Sequence, residues 1–484
     1  MDWRKHLEEW PRVGICLLAL SLAGCAGGPA PVAKPRLLVL RSATGPVYGE
    51  FLKSHRSERY TGRQDPAQYR FIVVDGNSMS PSEVGSEPLI GEALSKGISV
   101  MMVNCSEDHK RSLMASKKVP AHTNGPSAAY LVTPVRGPGR IFHLTDLRAS
   151  KVAKKQVAHS YTERGFIQGQ HKRWEDEQPI SGAHLESFMD MVDDRLATQG
   201  RATLPTPPSD YSSGNWFQVA VTESWEAMNE SCMDGQSLQH QITFTFAVYA
   251  DSGDTLQSHW FQWCAMSMQG SVNMLSGLAN NGDDTVGYAQ TLFEAGVQPI
   301  NEGGGNGLEL ALVQAQPTSA TGAYNSSIDF TIGYQGSNGA SNWLWQQSLT
   351  QSPQSFTNWQ ATSPPPPTSE INAVAYQAMQ TSPFYGDDSN WTDGFHNIFG
   401  GKHVDSPNPT SSGSMGVVGQ AVWKTFDIFD GPIQIEYGSS SLMTQLHVKN
   451  HFVYSDLYLD TCSFGGGSVI TLDFSQATPP SGGQ

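Results

Sequence analysis

The feature that most constrains the fold is an alternation of apolar and polar residues that recurs through the second half of the chain. In a β-strand successive side chains point to opposite faces, so a period of two indicates half-buried strands. Glycine-rich turns between such segments predict an antiparallel sandwich or barrel. The alternating segments are Phe217–Val221, Gln241–Tyr249, Ser258–Met268, Ala421–Phe426, Ile433–Tyr437, Leu442–Val448, Phe452–Leu459 and Ser468–Phe474.

Residues 36–147 follow a different pattern. Leu37–Leu40 and Phe71–Val74 are apolar on both faces, as in buried parallel strands, and Pro88–Gly97 and Glu107–Ser116 read as helices between strands. This order predicts a small α/β accessory domain. The amphipathic stretch Ala183–Thr198 predicts a helix.

These patterns divide residues 36–484 into four units, and the predicted fold class is therefore multidomain α+β. The predicted units are the α/β domain 36–147, a helical connector with a Pro-rich linker 148–209, a mainly antiparallel β domain 210–478 and a tail 479–484.

Charge is distributed unevenly between the two halves. Residues 1–200 hold 26 Lys and Arg against 21 Asp and Glu, whereas residues 201–484 hold 4 against 24. From Ala202 to Gly401 there is neither Lys nor Arg. Such an acidic half argues against nucleic acid as a partner. Its many aromatic residues indicate a folded domain and not a disordered acidic tail.

The first residues have the layout of a signal peptide. Arg4, Lys5 and Arg12 precede the apolar run Val13–Leu22, which is too short to span a bilayer as a helix. Leu22-Ala23-Gly24-Cys25 resembles a bacterial lipobox. The resemblance implies a signal peptide at 1–24, lipidation of Cys25 and a lipidated tether at 25–35. An ordinary secretory signal with an incidental cysteine is the alternative. The predicted location is an outer-membrane lipoprotein or the cell surface, with release from the cell left open.

Export permits disulfides. Cys232 and Cys264 bracket a strand-turn-strand segment and are the predicted pair. Cys105 lies in the predicted α/β domain and Cys462 in the predicted β domain, so they either pair across the interface between these domains or remain buried thiols.

A glycine-flanked segment in the middle of the β domain has the pattern of an amphipathic hairpin. Leu308–Gln316 and Ser326–Gln335 each alternate over about ten residues. This pattern fits a hairpin that crosses a bilayer, and it equally fits a hairpin that lies on a protein core. The predicted membrane-facing residues are Leu308, Leu310, Leu312, Ile328, Phe330, Ile332 and Tyr334.

The order of these features resembles the cytolysin domain of the leukocidin and haemolysin superfamily, in particular the cholera-type cytolysins. Gly307–Leu312 stands where the stem of that family enters, and Tyr334 with Asn342–Ser348 stands where it returns. The resemblance implies a β-sandwich with a membrane-inserting stem, homo-oligomerisation on lipid membranes and an α/β prodomain before the cytolysin. Two departures are the short stem and the lipid anchor.

Aromatic residues also crowd loop-like sequence after the stem. Trp343, Trp345, Trp359 and Trp391 are predicted to contact a bilayer interface or a glycan, although such rings also plug the ends of sandwiches. No motif of a hydrolase or metalloprotease is present, so we predict neither catalytic residues nor a metal or cofactor.

The leading hypothesis is a secreted or surface pore-forming protein. The alternative is a non-lytic surface lipoprotein that binds a glycan or a host protein receptor. A hydrolase with an unrecognised site ranks third.

Overall fold

A computed structural model describes the chain from residue 34 onward, with gaps. The described residues are 34–135, 140–148, 150–162, 165–178, 180, 182–197, 216–228, 237–252, 260–274, 276–281, 284–300, 309–316, 327–335, 342–350, 360–362, 374–379, 413–450 and 455–479. The contacts divide the chain into the units Met1–Lys34 and Pro35–Gln484. The predicted signal peptide and Cys25 lie outside the described residues.

Residues 36–147, called the α/β module below, contain short strands and helices as the sequence predicts. The elements are β1 Arg36–Val39, α1 Pro46–Ser54, β2 Arg56–Arg59, a 3-10 turn Pro66–Gln68, β3 Phe71–Asp75, α2 Pro81–Ser86, α3 Pro88–Ser95, β4 Ser99–Cys105, α4 Glu107–Ala115, β5 Ala121–Thr123, β6 Ser127–Pro134 and β7 Arg140–Leu147. Helix α2 begins at a capping box in which Ser80 and Glu83 satisfy each other's backbone N–H groups.

The rest of the described chain is almost entirely β-structure. The elements are β8 Ser150–Thr162, β9 Gly165–Gln178, α5 Gly182–Ala197, β10 Trp216–Met228, β11 Ser237–Ser252, β12 Trp260–Met274, β13 Ser276–Asn281, β14 Asp284–Ile300, β15 Leu310–Gln316, β16 Ser327–Gln335, β17 Asn342–Thr350, β18 Gln360–Thr362, β19 Val374–Met379, β20 Gly413–Thr425, β21 Pro432–Asn450, β22 Ser455–Asp473 and a 3-10 turn Phe474–Gln476. Within the described ranges, no helix is long and apolar enough to cross a membrane.

Two large sheets and one small sheet organise these strands. The first has the order β15-β20-β12-β11-β10-β7-β6-β4-β3-β1-β2, and the second has the order β18-β19-β14-β21-β22-β8-β9. β1, β2, β3 and β4 are parallel, whereas most of the other pairs are antiparallel. This architecture confirms the predicted α+β fold class with its antiparallel sandwich. β16 and β17 form a separate sheet of two strands.

The two large sheets enclose a core shared by the α/β module and the sandwich. One buried cluster contains Val74 and Val132 of the module together with Phe244 and Ile435 of the sandwich. The rings of Phe244 and Tyr437, from opposite sheets, have centroids 5.0 Å apart. Because β7 also pairs with β10, the first sheet continues from the module into the sandwich without an edge.

The region between module and sandwich differs from the predicted helical connector. The amphipathic helix is present as α5, and its Phe188 and Val192 are buried. Before it, however, β8 and β9 form a hairpin, and β8 pairs with β22. The long strand β22 offers a row of backbone groups for pairing, and a tertiary partner of this kind overrides weak local propensity.

The predicted disulfide between Cys232 and Cys264 is wrong. Cys264 is a free, fully buried thiol in β12, where it belongs to the core cluster. Cys105 is also free and buried, and burial raises the pKa of its thiol to about 12. Cys462 is disulfide-bonded, and its partner lies outside the described residues. Alternation in the sequence shows which residues face the core, but not which cysteines the sheets bring together.

Candidate membrane-inserting hairpin

The strand that contains Leu310 belongs to the sandwich. β15 runs antiparallel to β20, with Leu310 opposite Thr425 and Leu312 opposite Trp423. Leu310 is fully buried, and Leu312 packs against the same core cluster. The predicted pairing of residues 308–316 with residues 326–335 is therefore wrong, and Leu308 lies outside the described residues.

The true partner of β16 is the next strand along the chain. β16 and β17 pair antiparallel over nine residue pairs, from Ser327 opposite Thr350 to Gln335 opposite Asn342. Both β15 and β17 alternate in the sequence, so the period of two indicated a hairpin but not which strand pairs with β16. We call the paired strands 327–335 and 342–350 the β16–β17 hairpin.

The register separates the hairpin into an apolar face and a polar face. Directly opposite residues of an antiparallel pair share a face, and every second residue along a strand shares it too. One face contains Ile328, Phe330, Ile332, Tyr334, Trp343, Trp345, Gln347 and Leu349. The other contains Ser327, Asp329, Thr331, Gly333, Gln335, Asn342, Leu344, Gln346, Ser348 and Thr350. The two exceptions are Gln347 on the apolar face and Leu344 on the polar face.

The strands have the length that a bilayer requires. Each contains nine residues, and a transmembrane β-strand needs about 9–11 residues when tilted. Charge is almost absent: Asp329 is the only Asp, Glu, Lys, Arg or His among residues 310–369. The hairpin therefore meets the two demands of a lipid-exposed strand pair, which are sufficient length and an uncharged outer face.

The segment that contains the hairpin starts from one sheet and returns to the other. β15 precedes it and lies at the end of the first sheet, whereas β19 follows it and pairs with β14 in the second sheet. Leu310 and Ala315 of β15 and Val374 of β19 all belong to the same buried cluster. Both ends of the segment are thus anchored in the core.

The predicted aromatic contacts separate into two groups. Trp343 and Trp345 lie on the apolar face of the hairpin, next to Tyr334 and close to residues 336–341, which connect the strands. Trp359 and Trp391 lie outside the described residues. Leu349 also belongs to this face but was not predicted. Trp343, Trp345, Gln347 and Leu349 stand at every second position, so the period of two could have identified it.

A second polar group lies between the two large sheets. His240 of β11 has its Nδ1 at 3.1 Å from Ser439 Oγ and its Nε2 at 2.9 Å from Ser441 Oγ. Trp225 Nε1 donates to Ser439 Oγ over 2.9 Å, and Gln290 Nε2 donates to Ser441 Oγ over 2.6 Å. Burial lowers the pKa of His240 to about 3, so the ring is neutral at pH 7. Within this network Gln290 Oε1 is buried without a hydrogen-bond partner, whereas the His240 ring nitrogens, Trp225 Nε1 and Gln290 Nε2 all have one, and the network bridges the sheets.

Asp75, the last residue of β3 in the α/β module, stabilises a turn. Its carboxylate accepts hydrogen bonds from the Thr44 and Asn77 backbone N–H groups and from Asn104 Nδ2, at 2.9, 2.9 and 3.1 Å. These donors come from the loops after β1, β3 and within β4, so Asp75 holds three strand ends together. The carboxylate is occupied by these contacts, as expected of an Asp that stabilises a turn.

Comparison with solved structures finds similar chains among pore-forming proteins. One described as a pore forming protein is 8% identical, with 54% of this chain and 94% of that chain covered and a TM-score of 0.34. Clostridium perfringens delta-toxin is 12% identical, with 54% and 91% covered and a TM-score of 0.34. The Clostridium perfringens NetB toxin in the membrane inserted form is 8% identical, with 54% and 98% covered and a TM-score of 0.28. No protein-family model and no curated protein matches the sequence.

Proposed function

We propose that this protein damages membranes by inserting the β16–β17 hairpin into a lipid bilayer and assembling several copies into a β-barrel pore. The observation that supports this function is the register of the hairpin, which collects Phe330, Ile332 and Trp345 on one face and Thr331 and Gln346 on the other. A barrel wall needs this separation, because one face contacts lipid and the other contacts water in the lumen.

Aromatic residues mark one end of the hairpin. Tyr334 and Trp343 are opposite each other in the second pair from the connection 336–341, and Trp345 follows on the same face. Tyr and Trp concentrate at membrane–water interfaces, where the ring is apolar and its N–H or O–H remains hydrated. In the proposed pore these residues lie at the far interface of the bilayer.

Oligomerisation follows from backbone hydrogen bonding. β16 and β17 pair only with each other among the described strands, so an inserted hairpin has two outer edges. Unpaired backbone groups cost several kcal/mol each in hydrocarbon, so open sheet edges do not occur there. Several copies must therefore pair edge to edge until the barrel closes.

The sandwich serves as the scaffold from which the hairpin extends. Among the described residues after β14 and before β20, the buried cluster includes Leu310, Ala315 and Val374, which belong to β15 and β19. These two strands hold the ends of the segment in the core, and in the proposed mechanism the hairpin between them is the part that extends. We propose a lipid membrane as the target, with a glycan or protein on the target cell as a receptor. The protein itself is proposed to act at the cell surface.

Dye release from liposomes by the full chain tests this function. We compare wild type with Phe330→Arg and with the adjacent Thr331→Arg, which form a matched pair because Thr331 lies in the middle of the nine residue pairs. An Arg on the lipid face near the midplane costs about 2–4 kcal/mol per copy, whereas an Arg in the lumen is hydrated. We expect Phe330→Arg to abolish release while membrane binding persists, and Thr331→Arg to retain release.

Equal release by the two variants would contradict insertion of this face. Tight binding by wild type without any release, on liposomes and on red cells, would instead favour the non-lytic surface protein.

A further inference from the structure

The polar face of the hairpin is almost uncharged, and its one exception is acidic. Asp329 lies on that face, opposite Ser348 and two residue pairs from the Ser327–Thr350 end. No Lys, Arg or His occurs among residues 310–369 to balance it. Whatever surrounds the polar face of an assembled hairpin therefore experiences negative charge alone.

We infer that the pore conducts cations in preference to anions, and that Asp329 determines this selectivity; the inference rests on the proposed pore. Each copy contributes one hairpin, so each copy contributes one Asp329 at the same level of the barrel. Copies related by rotation place these carboxylates in a ring around the lumen. Rings of Asp or Glu select cations because they raise the local cation concentration and repel anions.

The position of Asp329 favours an ionised carboxylate. The lumen of a wide β-barrel is filled with water, so desolvation does not oppose the charged form there.

The dependence of ion selectivity on salt concentration distinguishes a ring of charges from a steric filter. The screening length is about 10 Å at 0.1 M salt and about 3 Å at 1 M. A ring of carboxylates in a wide lumen acts across water, so its preference for cations weakens as the salt concentration rises. A constriction that excluded anions by size would not depend on salt in this way.

The test is the reversal potential of the full-length protein in planar lipid bilayers under a KCl gradient. For wild type we expect a K⁺ over Cl⁻ permeability ratio above one, which falls between 0.1 M and 1 M salt. Asp329→Asn should bring the ratio towards one, and Asp329→Lys should bring it below one. Ser348→Asp adds a second carboxylate directly opposite Asp329 and should raise the ratio.

Glu309→Gln is the matched control. Glu309 is the nearest acidic residue before the hairpin and immediately precedes β15, outside the polar face. Removal of its charge should leave the ratio close to that of wild type. Channels whose ratio does not respond to Asp329→Asn or Ser348→Asp would overturn the inference while the pore itself stands. Absence of any conductance from membrane-bound wild type would overturn the proposed function together with the inference.

Discussion

Phe142 and Val219 are register partners in adjacent parallel strands, one from the α/β module and the other from the sandwich. A second junction joins the same two parts, because β5 of the module pairs with β22, with Thr123 opposite Ile470. Gln476 Nε2 also donates to the Val119 carbonyl over 3.3 Å. The module is therefore built into the sandwich, in contrast to a prodomain joined by a linker.

We expect cleavage of the chain between module and sandwich to leave the two pieces associated. A specific protease site inserted in the Pro-rich stretch 204–208 would allow this cut. Separation would expose the edge of β10 and apolar residues of the shared core, which is unfavourable at about 25 cal/mol per Å². Size-exclusion chromatography of the nicked protein should show one peak that contains both pieces, with a single unfolding transition. Elution of a folded sandwich free of the module would contradict this prediction.

Acid should weaken the folded state through His240. Burial lowers the pKa of His240 to about 3 from its usual value of 6.5. The unfolded chain therefore takes up a proton at a pH where the folded chain does not. Stability that is fully present above pH 6.5 is lost as the pH falls towards 3, by about 1.4 kcal/mol per pH unit for one such group. Between pH 6.5 and 5 this amounts to about 2 kcal/mol.

Urea unfolding of wild type and His240→Gln at pH 7, 6 and 5 isolates this contribution. His143 acts in the same direction, since burial also lowers its pKa to about 3, whereas burial raises the pKa of Glu223 and acts in the opposite direction. Both groups are shared by the two proteins, so the difference between them reports His240. We expect the stability advantage of wild type to shrink as the pH falls. An advantage that stays constant with pH would show that the pKa of His240 is the same in the folded and the unfolded chain.

We expect Cys232 to be the partner of Cys462. Cys462 packs in a buried cluster with Ala227 and Leu238, and these two residues flank the connection that contains Cys232. Peptide mapping without reduction should recover the Cys232 and Cys462 peptides joined. Cys105 and Cys264 are free, buried thiols, so they should react with an alkylating agent only after the protein is unfolded. Loss of a native disulfide typically costs about 2–5 kcal/mol, so Cys232→Ser should lower the unfolding midpoint. A joined Cys232–Cys264 peptide would refute this assignment.

Much of the fold is visible in local patterns. Alternation predicted β10, β11, β12, β21 and β22, and continuous apolar runs predicted the buried strands β1 and β3. The helix α5 was predicted from its apolar stripe. The β8–β9 hairpin was not, because its Lys- and Gln-rich strands have little local preference and form against β22.

The sequence by itself determined the period of each segment, which residues of a strand share a face and the absence of positive charge around the hairpin. These properties are local, because they depend on side-chain chemistry and on the two-residue repeat of a strand. Only the tertiary structure decided that β16 pairs with β17, that β15 joins β20, and that Cys264 remains a thiol. Pairing depends on which backbone edges and cavities meet in space, and several strands of equal period satisfy the local pattern equally well.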